Sequence, residues 1–426
     1  MTGVLTVRRL AELATPEGTA ARAGAEQGAI RRVTSAALRF ENGRIAFAGT
    51  DTEFVRRYGE APLPGETILD GRGKTAVPGF VDAHTHLPWD GFREDEFNRR
   101  LKGETYARIA ASGGGIVATV AATRAASVET LAANVRGRLD RMLRHGTTYC
   151  EAKTGYGLDL ANEKKQLAAI LAGAEGHAVG VAPTALPAHD LPPERRGSEA
   201  LRRRYVDECL NEILPALAEG GARFADVFCE EGVFSLAESA EILEAGRSLG
   251  LVPRVHADEL TPLGGASLAA RMKAASADHL LFATDEGIAD MAAAGVVATL
   301  LPGTSVFLRM NRYAPARKMI AAGVAVALGT DCNPGSSYTE SLPAVAFLAS
   351  VGMGLTVEET LTAMTLNAAS SLGEGARRGT LEEGKAGDAV LLDGPSLEHL
   401  VYHWGVSLVT DVIAGGRHVV QRGLLR

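Results

Sequence analysis

The chain has 426 residues, of which 46% are hydrophobic and 22% are charged, and its formal net charge at pH 7 is −7. This length allows one large domain and one small domain. The acidic balance excludes the basic surface through which proteins bind nucleic acid or an anionic membrane.

The first 76 residues predict β-structure. Residues 36–50, AALRFENGRIAFAGT, place the turn pair Asn42-Gly43 between two short strands, which indicates a hairpin. The small and polar residues 15–28 predict a loop. Near the C-terminus, GDAVLLDG and VTDVIAGGRHVVQRG predict further strands with a turn at Gly415-Gly416. We expect residues 1–76 and 377–426 to form one small β-sandwich domain with the termini close together.

Residues 77–376 alternate short apolar runs that end in polar residues with helical segments such as SVETLAANVRGRLDRMLRHG. The apolar runs are TAVPGFVDAHTH, GTTYCEAK, GVAPTALPAHD, ARFADVFCEE, LVPRVHADE, SADHLLF, VVATLLPGTS and VAVALGTDCNPGSS. Repeated βα units imply a parallel sheet, and eight of them imply a closed barrel. We therefore expect an α/β fold, a (β/α)8 TIM-like barrel, with the polar strand ends at one mouth.

Two histidines separated by one residue, His84 and His86, end the first of these runs. Residues i and i+2 of a strand point to the same face, and neutral imidazole is a common ligand of zinc and iron. An isolated pair of this kind is more often a pair of surface histidines. However, other strand ends carry His256, Glu259, His279 and Asp331, all of which a barrel would bring to one mouth. Three histidines and one carboxylate can hold a single divalent or ferric ion.

The motifs GFVDAHTH, HADE and GTDCNPGSS resemble the metal-dependent amidohydrolase superfamily. Within it, KTGYGLDL, DVFCEEGVFS, SADHL and TDCNPGSSYTESLP are similar to the imidazolonepropionases, which act in histidine breakdown. The likeness extends from about residue 70 to the C-terminus. It implies one Zn²⁺ or Fe³⁺ per subunit, a homodimer, and the metal ligands His84, His86, His256 and Asp331.

The fourth run favours one metal ion over two. Some related barrels bridge two metals with a carboxylated lysine at the end of the fourth strand, whereas here that end has Cys229, Glu230 and Glu231. Lys153 ends the second run instead. Two hypotheses remain open for Lys153: a salt bridge near Glu151 or Glu230, and a contact with substrate.

The resemblance implies a small-molecule substrate, 4-imidazolone-5-propanoate, which is hydrolysed to N-formimidoyl-L-glutamate. A metal at the mouth would lower the pKa of water and polarise the ring carbonyl. Glu259, three residues after His256, would then protonate the leaving ring nitrogen as general acid/base. His279 and Asp331 would orient or deprotonate the attacking water. The alternative for His279 is a core histidine with satisfied hydrogen bonds.

The propanoate group requires a cation, and Arg93 in DGFREDEF is our candidate because a guanidinium binds a carboxylate with two parallel hydrogen bonds. The remaining expected substrate contacts, carried over from the resemblance, are Tyr106, Tyr156, His189, Glu259, Asn333, Gly335 and Ser336. Around His189 the chain reads Pro187-Ala188-His189-Asp190, where the family usually has glycine before the Ala-His pair and alanine after it. This departure could tilt the loop that carries His189.

Two other functions compete with this interpretation. A ring deaminase of the same superfamily would use similar metal ligands, but it would have little need of an arginine for a propanoate group. A barrel without metal that serves in assembly should lack the four ligands, which are present here.

The four cysteines form no CxxC pair, and no secretory signal is visible in the sequence. We therefore expect reduced thiols and a cytoplasmic location.

Overall fold

The computed structural model describes residues 3–104, 108 and 113–426. Within these residues, no single helix is both long and apolar enough to cross a membrane. The helices Ile116–Ala125 and Val128–Arg144 meet such a criterion only as a pair, and the chain bends by 119° between them.

The strands form two separate sheets. In chain order they are β1 Leu5–Thr15, β2 Arg31–Glu41, β3 Arg44–Thr50, β4 Thr67–Asp70, β5 Lys74–Pro78, β6 Phe80–Asp82, β7 Thr147–Lys153, β8 Gly180–Ala188, β9 Phe224–Cys229, β10 Val252–Ala257, β11 Ser276–His279, β12 Val297–Leu300, β13 Val326–Leu328, β14 Ala389–Asp393, β15 Val409–Ala414, β16 Arg417–Gln421 and β17 Leu424–Leu425.

The helices lie mainly between the strands β6 to β13 and after them. The α-helices are Asp51–Tyr58, Glu94–Leu101, Ile116–Ala125, Val128–Arg144, Leu160–Ala174, Glu199–Glu208, Leu214–Glu219, Leu236–Ser248, Gly265–Arg271, Asp285–Ala294, Pro302–Phe307, Ala316–Ala321, Leu342–Met353, Val357–Thr362, Ala368–Ser371 and His399–Tyr402. Short 3-10 helices span Gly24–Gly28 and Pro193–Arg195, and π-helical turns span Cys209–Ile213 and Ala363–Asn367.

The eight strands β6 to β13 pair in parallel with their sequence neighbours, which confirms the predicted barrel. Each strand lies within one of the eight apolar runs. A parallel bridge between Thr85 and Cys332 joins the two edges, and the Asp331 N–H donates to the His84 carbonyl across the same seam at 2.9 Å. The barrel is therefore nearly closed, and its first and last strand ends are adjacent.

The second sheet has nine strands and contains both ends of the chain. Strand β5 connects the two parts, because it pairs with β1 on one side and with β14 on the other. Both expected hairpins are present, and the turn residues Asn42, Gly43, Gly415 and Gly416 all have positive φ angles. Apolar residues of both chain ends share one core, for example Leu38, Phe40 and Ile413. We propose residues 1–76 with 377–426 as one domain and residues 77–376 as the other, although β5 continues the small sheet to Pro78.

Candidate metal centre

His84 and His86 follow β6 and lie at the barrel mouth. The Thr85–Cys332 bridge and the bond from the His86 N–H to the Cys332 carbonyl, 3.1 Å long, continue the β-conformation beyond the strand. Alternation along an extended chain therefore holds, and both imidazoles face the same space, with ring centroids 5.3 Å apart. This is the arrangement that the i, i+2 spacing predicts.

His256, at the end of β10, and Asp331, after β13, complete the cluster. His84 Nε2 lies 3.5 Å and His86 Nε2 lies 3.6 Å from the same oxygen, Asp331 Oδ1. The ligand atoms of His84, His86 and His256 all lie within 4.8 Å of one another. A tetrahedral ion with bonds of about 2.0–2.1 Å keeps its ligand atoms about 3.4 Å apart. Because His84 Nε2 is buried and finds no hydrogen-bond partner in the described part of the chain, these residues fit one metal ion.

Burial sets the protonation of these ligands. It lowers the pKa of His84 and of His86 well below the ordinary value, so both rings are neutral, which is the form that binds metal. Burial raises the pKa of Asp331 to about 6. Thr304 Oγ1 donates to Asp331 Oδ2 at 2.7 Å and Ser336 Oγ donates to it at 3.2 Å, which leaves Oδ1 for the two histidines. The cluster therefore presents the neutral rings of His84 and His86 and the Oδ1 atom of Asp331 to a cation.

Carboxylates on the inner side of the barrel contact two of the ligand histidines. Asp278 Oδ2 lies 2.7 Å from His84 Nδ1, and Asp226 Oδ2 lies 2.9 Å from His256 Nδ1. The hydrogen bond between Asp278 and His84 Nδ1 holds the proton there and leaves Nε2 as the metal-binding nitrogen, whereas Asp226 and His256 Nδ1 form a close polar contact. The sequence alone indicates no role for either aspartate, although each is an acid within an apolar strand.

Glu259 and His279 lie beside the cluster and are buried. Glu259 Oε2 is 3.5 Å from His279 Nε2. Burial raises the pKa of Glu259 well above its usual range, and Asp331 and Glu230 raise it further, so this carboxyl group can carry a proton near neutral pH. Burial lowers the pKa of His279 well below its ordinary value, so this imidazole is neutral. The pair thus offers one proton donor and one proton acceptor.

Several residues at the strand ends have left-handed backbone. Asp258, His279 and Asp331 have φ angles of 49°, 73° and 53°. Such conformations are uncommon for residues other than glycine and cluster at functional sites. Asp258 is held in place because its carboxylate accepts from the N–H groups of Gly264, Gly265 and Ala266. The bend after β10 places Glu259 next to His256.

The cluster opens into a cavity of about 630 Å³. The cavity is lined by His86, Arg93, Arg100, Gly103, Glu104, Ile116, Tyr156, His189, Phe228, His256, Glu259, Leu260, His279, Leu308, Arg309, Met310, Asn311, Asp331, Asn333, Gly335 and Ser336. Arg93 is fixed by Glu96, whose carboxylate accepts from its Nε at 3.0 Å and lies 2.9 Å from its Nη2. The cavity is therefore lined by every predicted site residue that the structure describes except His84, which belongs to the metal cluster through its proximity to Asp331, His86 and His256. Tyr106 lies outside the described residues.

Tyr156 and His189 form one wall of the cavity. The His189 ring is stacked on His86 with centroids 4.9 Å apart, and Tyr156 meets His189 edge to face at 5.2 Å. Burial lowers the pKa of His189 to about 3. Since Nδ1 of this neutral ring donates to the Gly155 carbonyl at 3.0 Å, Nε2 is an acceptor. His189 lies in the cavity although Pro187 and Asp190 depart from the family pattern. The Tyr205 hydroxyl donates to the Pro187 carbonyl at 2.7 Å.

Asn333 shapes the turn after Asp331. Its side-chain oxygen accepts from the N–H groups of Gly335 and Ser336, both at 2.8 Å. Its amide nitrogen donates to the Asp331 carbonyl and to Ser336 Oγ, both at 2.7 Å. Glycine at position 335 leaves room for the Arg93 guanidinium, because a Cβ there would lie 2.2 Å from Arg93 Nη1.

Lys153 does not contact the cavity. It is fully buried within the barrel, where its Nζ donates to Glu151 Oε1 at 2.8 Å and to Asp226 Oδ2 at 2.7 Å. Of the two hypotheses for this lysine, the geometry favours the salt bridge, with Glu151 as one partner. Glu230 instead accepts from the Leu260 N–H at 2.8 Å.

Comparisons with known proteins identify the family of this chain. The model of the amidohydrolase family matches residues 75–419. An imidazolonepropionase of Symbiobacterium thermophilum is 48% identical over 396 residues, which cover 92% of each chain. Imidazolonepropionases of Geobacillus sp. (strain WCH70) and Brevibacillus brevis are 46% and 44% identical, and the matches cover 99% and 100% of each chain.

Solved structures of lower identity share the fold. A triazine hydrolase variant has a TM-score of 0.75 at 18% identity, with 99% of this chain and 96% of that chain covered. Atrazine chlorohydrolase TrzN from Arthrobacter aurescens TC1 complexed with zinc has a TM-score of 0.70 at 17% identity, with the same coverage. N-isopropylammelide isopropylaminohydrolase from Burkholderia multivorans has a TM-score of 0.70 at 21% identity over the full length of both chains.

Proposed function

This chain belongs to the imidazolonepropionases of the amidohydrolase family, and from that membership we propose that it hydrolyses the cyclic amide C–N bond of 4-imidazolone-5-propanoate. The product is N-formimidoyl-L-glutamate, in the third step of histidine degradation. The observation that carries the proposal is one cavity that joins a His/Asp metal cluster, a buried acid and an arginine. A ring-opening hydrolase needs all three for a substrate with an amide at one end and a carboxylate at the other.

The proposed site residues have separate roles in the reaction. One metal ion held by His84, His86, His256 and Asp331 would lower the pKa of water and polarise the ring carbonyl. His279, neutral and next to the cluster, orients the attacking water and accepts its proton, and Glu259 delivers a proton to the leaving ring nitrogen. Because the Nδ1 proton of His189 is bound to Gly155, its Nε2 suits a ring N–H of the substrate better than the ring carbonyl.

The other proposed contacts bind the substrate. Arg93 pairs with the propanoate carboxylate, and Tyr156 donates its hydroxyl to the carboxylate or the ring. Burial raises the pKa of Tyr156 further above its ordinary value, so the hydroxyl keeps its proton. Asn333, Gly335 and Ser336 line the cavity as further proposed contacts, and Asn333 holds their turn in shape by accepting from the N–H groups of Gly335 and Ser336. We retain Tyr106 as a proposed contact from the sequence alone.

The donor set supports one metal ion per subunit, and we propose Zn²⁺ or Fe³⁺. Three imidazoles and one carboxylate accept either ion. We also propose a homodimer, to be tested by sedimentation equilibrium, and a cytoplasmic location. All four cysteines are buried free thiols, which agrees with a reducing compartment.

The test of function is turnover of freshly generated 4-imidazolone-5-propanoate, followed by the loss of its ultraviolet absorbance and by identification of the product. We expect N-formimidoyl-L-glutamate to form as the absorbance falls. Ring deamination by the same metal cluster is the second candidate. Release of ammonia in proportion to turnover, without the ring-opened product, would favour the deaminase and exclude the proposed reaction.

Arg93→Ala is expected to raise KM by about 10- to 100-fold with a smaller effect on kcat, because it removes charge-assisted hydrogen bonds remote from the reacting bond. Steady-state kinetics with the propanoate substrate measure this split. Arg203→Ala is the matched control, since Arg203 pairs with Asp207 and Glu241, and neither this arginine nor its two partners are among the described residues that line the cavity. An unchanged KM in Arg93→Ala would assign the carboxylate to another cation.

Gly335→Ala is expected to raise KM in the same way as Arg93→Ala, with little loss of thermal stability. The new Cβ would lie 2.2 Å from Arg93 Nη1 and 2.9 Å from its Cζ, and the flexible end of the arginine can move aside. Gly137→Ala, in the helix Val128–Arg144, is the control, because its Cβ would approach Arg141 Nη1 only to 3.8 Å. A wild-type KM in Gly335→Ala would show that substrate binding does not depend on the position of the Arg93 guanidinium beside Gly335.

A further inference from the structure

Five fully buried charged side chains form a layer inside the barrel, beneath the metal cluster. They are Glu151, Lys153, Asp226, Arg254 and Asp278, and they come from β7, β9, β10 and β11. None of them is among the described residues that line the substrate cavity, so the proposed reaction does not use them directly. Buried charges are costly unless they are paired, and a layer of five therefore requires an explanation.

Lys153 lies at the centre of this layer. Its Nζ donates to Asp226 Oδ2 at 2.7 Å and lies 3.7 Å from Asp278 Oδ2. These are the same two oxygens that contact the ligand histidines, because Asp226 Oδ2 is 2.9 Å from His256 Nδ1 and Asp278 Oδ2 is 2.7 Å from His84 Nδ1. One ammonium group is therefore next to both carboxylates that orient the metal ligands.

Arg254 holds the other side of the layer. Its Nη2 lies 3.2 Å from Asp278 Oδ2 and donates to the Ala83 carbonyl at 2.8 Å, and its Nε lies 2.9 Å from Glu151 Oε1. Lys153 and Arg254 together therefore contact all three carboxylates of the layer.

The same layer also explains one further group with metal-like spacing, which lies inside the barrel. The ligand atoms of His84, Glu151 and Asp278 lie within 4.8 Å of one another. However, Lys153 pairs with Glu151, and Arg254 pairs with both Glu151 and Asp278. The cations of the protein thus take the place that a second metal ion would need.

We propose that Lys153 is a positioning residue of the metal centre. Its ammonium group donates to Asp226 and lies 3.7 Å from Asp278, which also accepts from Arg254, and the two carboxylates contact Nδ1 of His256 and His84, so that Nε2 of each ring is directed to the metal. The inference rests on the proposed metal site and deepens it, because it adds the residue that holds the partners of two ligands.

The test compares zinc affinity with stability in the full chain after its metal has been stripped. Lys153→Met leaves the layer short of one cation and can impair folding. The double variant Lys153→Met/Glu151→Gln removes one charge of each sign and keeps the charge balance of the layer. We expect the zinc dissociation constant of each folded variant, measured by competition with a chromophoric chelator, to rise about 10- to 100-fold. Circular dichroism and the thermal midpoint of the metal-free proteins report folding separately.

Arg39→Met/Glu66→Gln is the matched control. Arg39 and Glu66 form a buried ion pair of 2.6 Å in the nine-stranded sheet, away from the barrel mouth. This control should lower the thermal midpoint and leave zinc affinity unchanged. Wild-type zinc affinity in Lys153→Met/Glu151→Gln, or failure of that variant to fold, would overturn the inference, since the layer would then serve the fold alone. A wild-type chain that binds no metal would instead refute the proposed metal site.

Discussion

Glu259→Gln is expected to lower kcat by about 10²- to 10⁴-fold, which is the usual contribution of a positioned acid or base, while the bound metal is retained. Glutamine has the shape of glutamate but has no carboxyl proton to give to the leaving nitrogen. Glu259 is buried, its carboxylate is 3.5 Å from His279, and its raised pKa keeps a proton available near neutral pH. It is not one of the four proposed ligands, so metal content should not change.

The measurement is steady-state and single-turnover kinetics with metal analysis on the same sample. Glu359→Gln is a matched control, because Glu359 is also buried but caps the helix Val357–Thr362 and pairs with Arg317. It should keep near-wild-type kcat. Turnover of Glu259→Gln close to that of wild type would refute the acid/base role, and loss of metal would make Glu259 a ligand.

The barrel, and the meeting of the proposed ligands at one mouth, could be predicted because they depend on simple periodicities. Each apolar run contains a strand, and in parallel barrels the ends of the strands share one mouth. The pair His84 and His86 could be assigned to one face because the bridge at Thr85 continues the β-alternation past β6. Here local sequence pattern and tertiary structure agree.

The inner carboxylates could not be predicted by the same rule. Asp278 and His279 are adjacent, so alternation along a strand would point them to opposite faces. The backbone at His279 instead turns left-handed, with φ of 73°, and the chain thereby brings both side chains to the metal cluster. Nothing in the residue types of SADHL signals that bend, because left-handed backbone is uncommon for a histidine or a leucine.

Ion pairs between residues far apart in the chain also could not be predicted from the sequence. Lys153 and Asp226 are 73 residues apart, and they meet because their side chains point into the barrel from β7 and β9. A lysine at a strand end could equally have faced the substrate, and only the fully buried position of Lys153 distinguishes a salt bridge from a substrate contact. The pairing of Arg93 with Glu96 was easier to predict, since Arg93 directly precedes the helix Glu94–Leu101 and is only three residues from Glu96.

Removal of the metal is expected to abolish hydrolysis, with a loss of about 10³-fold or more in kcat/KM, because a Lewis acid contributes several kcal/mol to the transition state and each 1.36 kcal/mol is a factor of ten. The protein side chains do not replace it: His279 and Glu259 move protons, but neither can polarise the ring carbonyl as a cation does. Addition of one equivalent of metal per chain should restore activity.

The experiment strips the purified protein with a chelator, reloads separate samples with Zn²⁺ or with iron, and measures bound metal and turnover together. Restoration by one ion and not by the other would decide between zinc and iron. Asp331→Asn is the paired variant, since it weakens the ligand whose Oδ1 lies within 3.6 Å of two imidazole nitrogens, and it should lose metal as well as activity. Glu259→Gln should by contrast load fully and remain slow. A stripped protein that keeps wild-type turnover, or a maximum at two metals per chain, would contradict the single-metal centre that the strand ends of this barrel form.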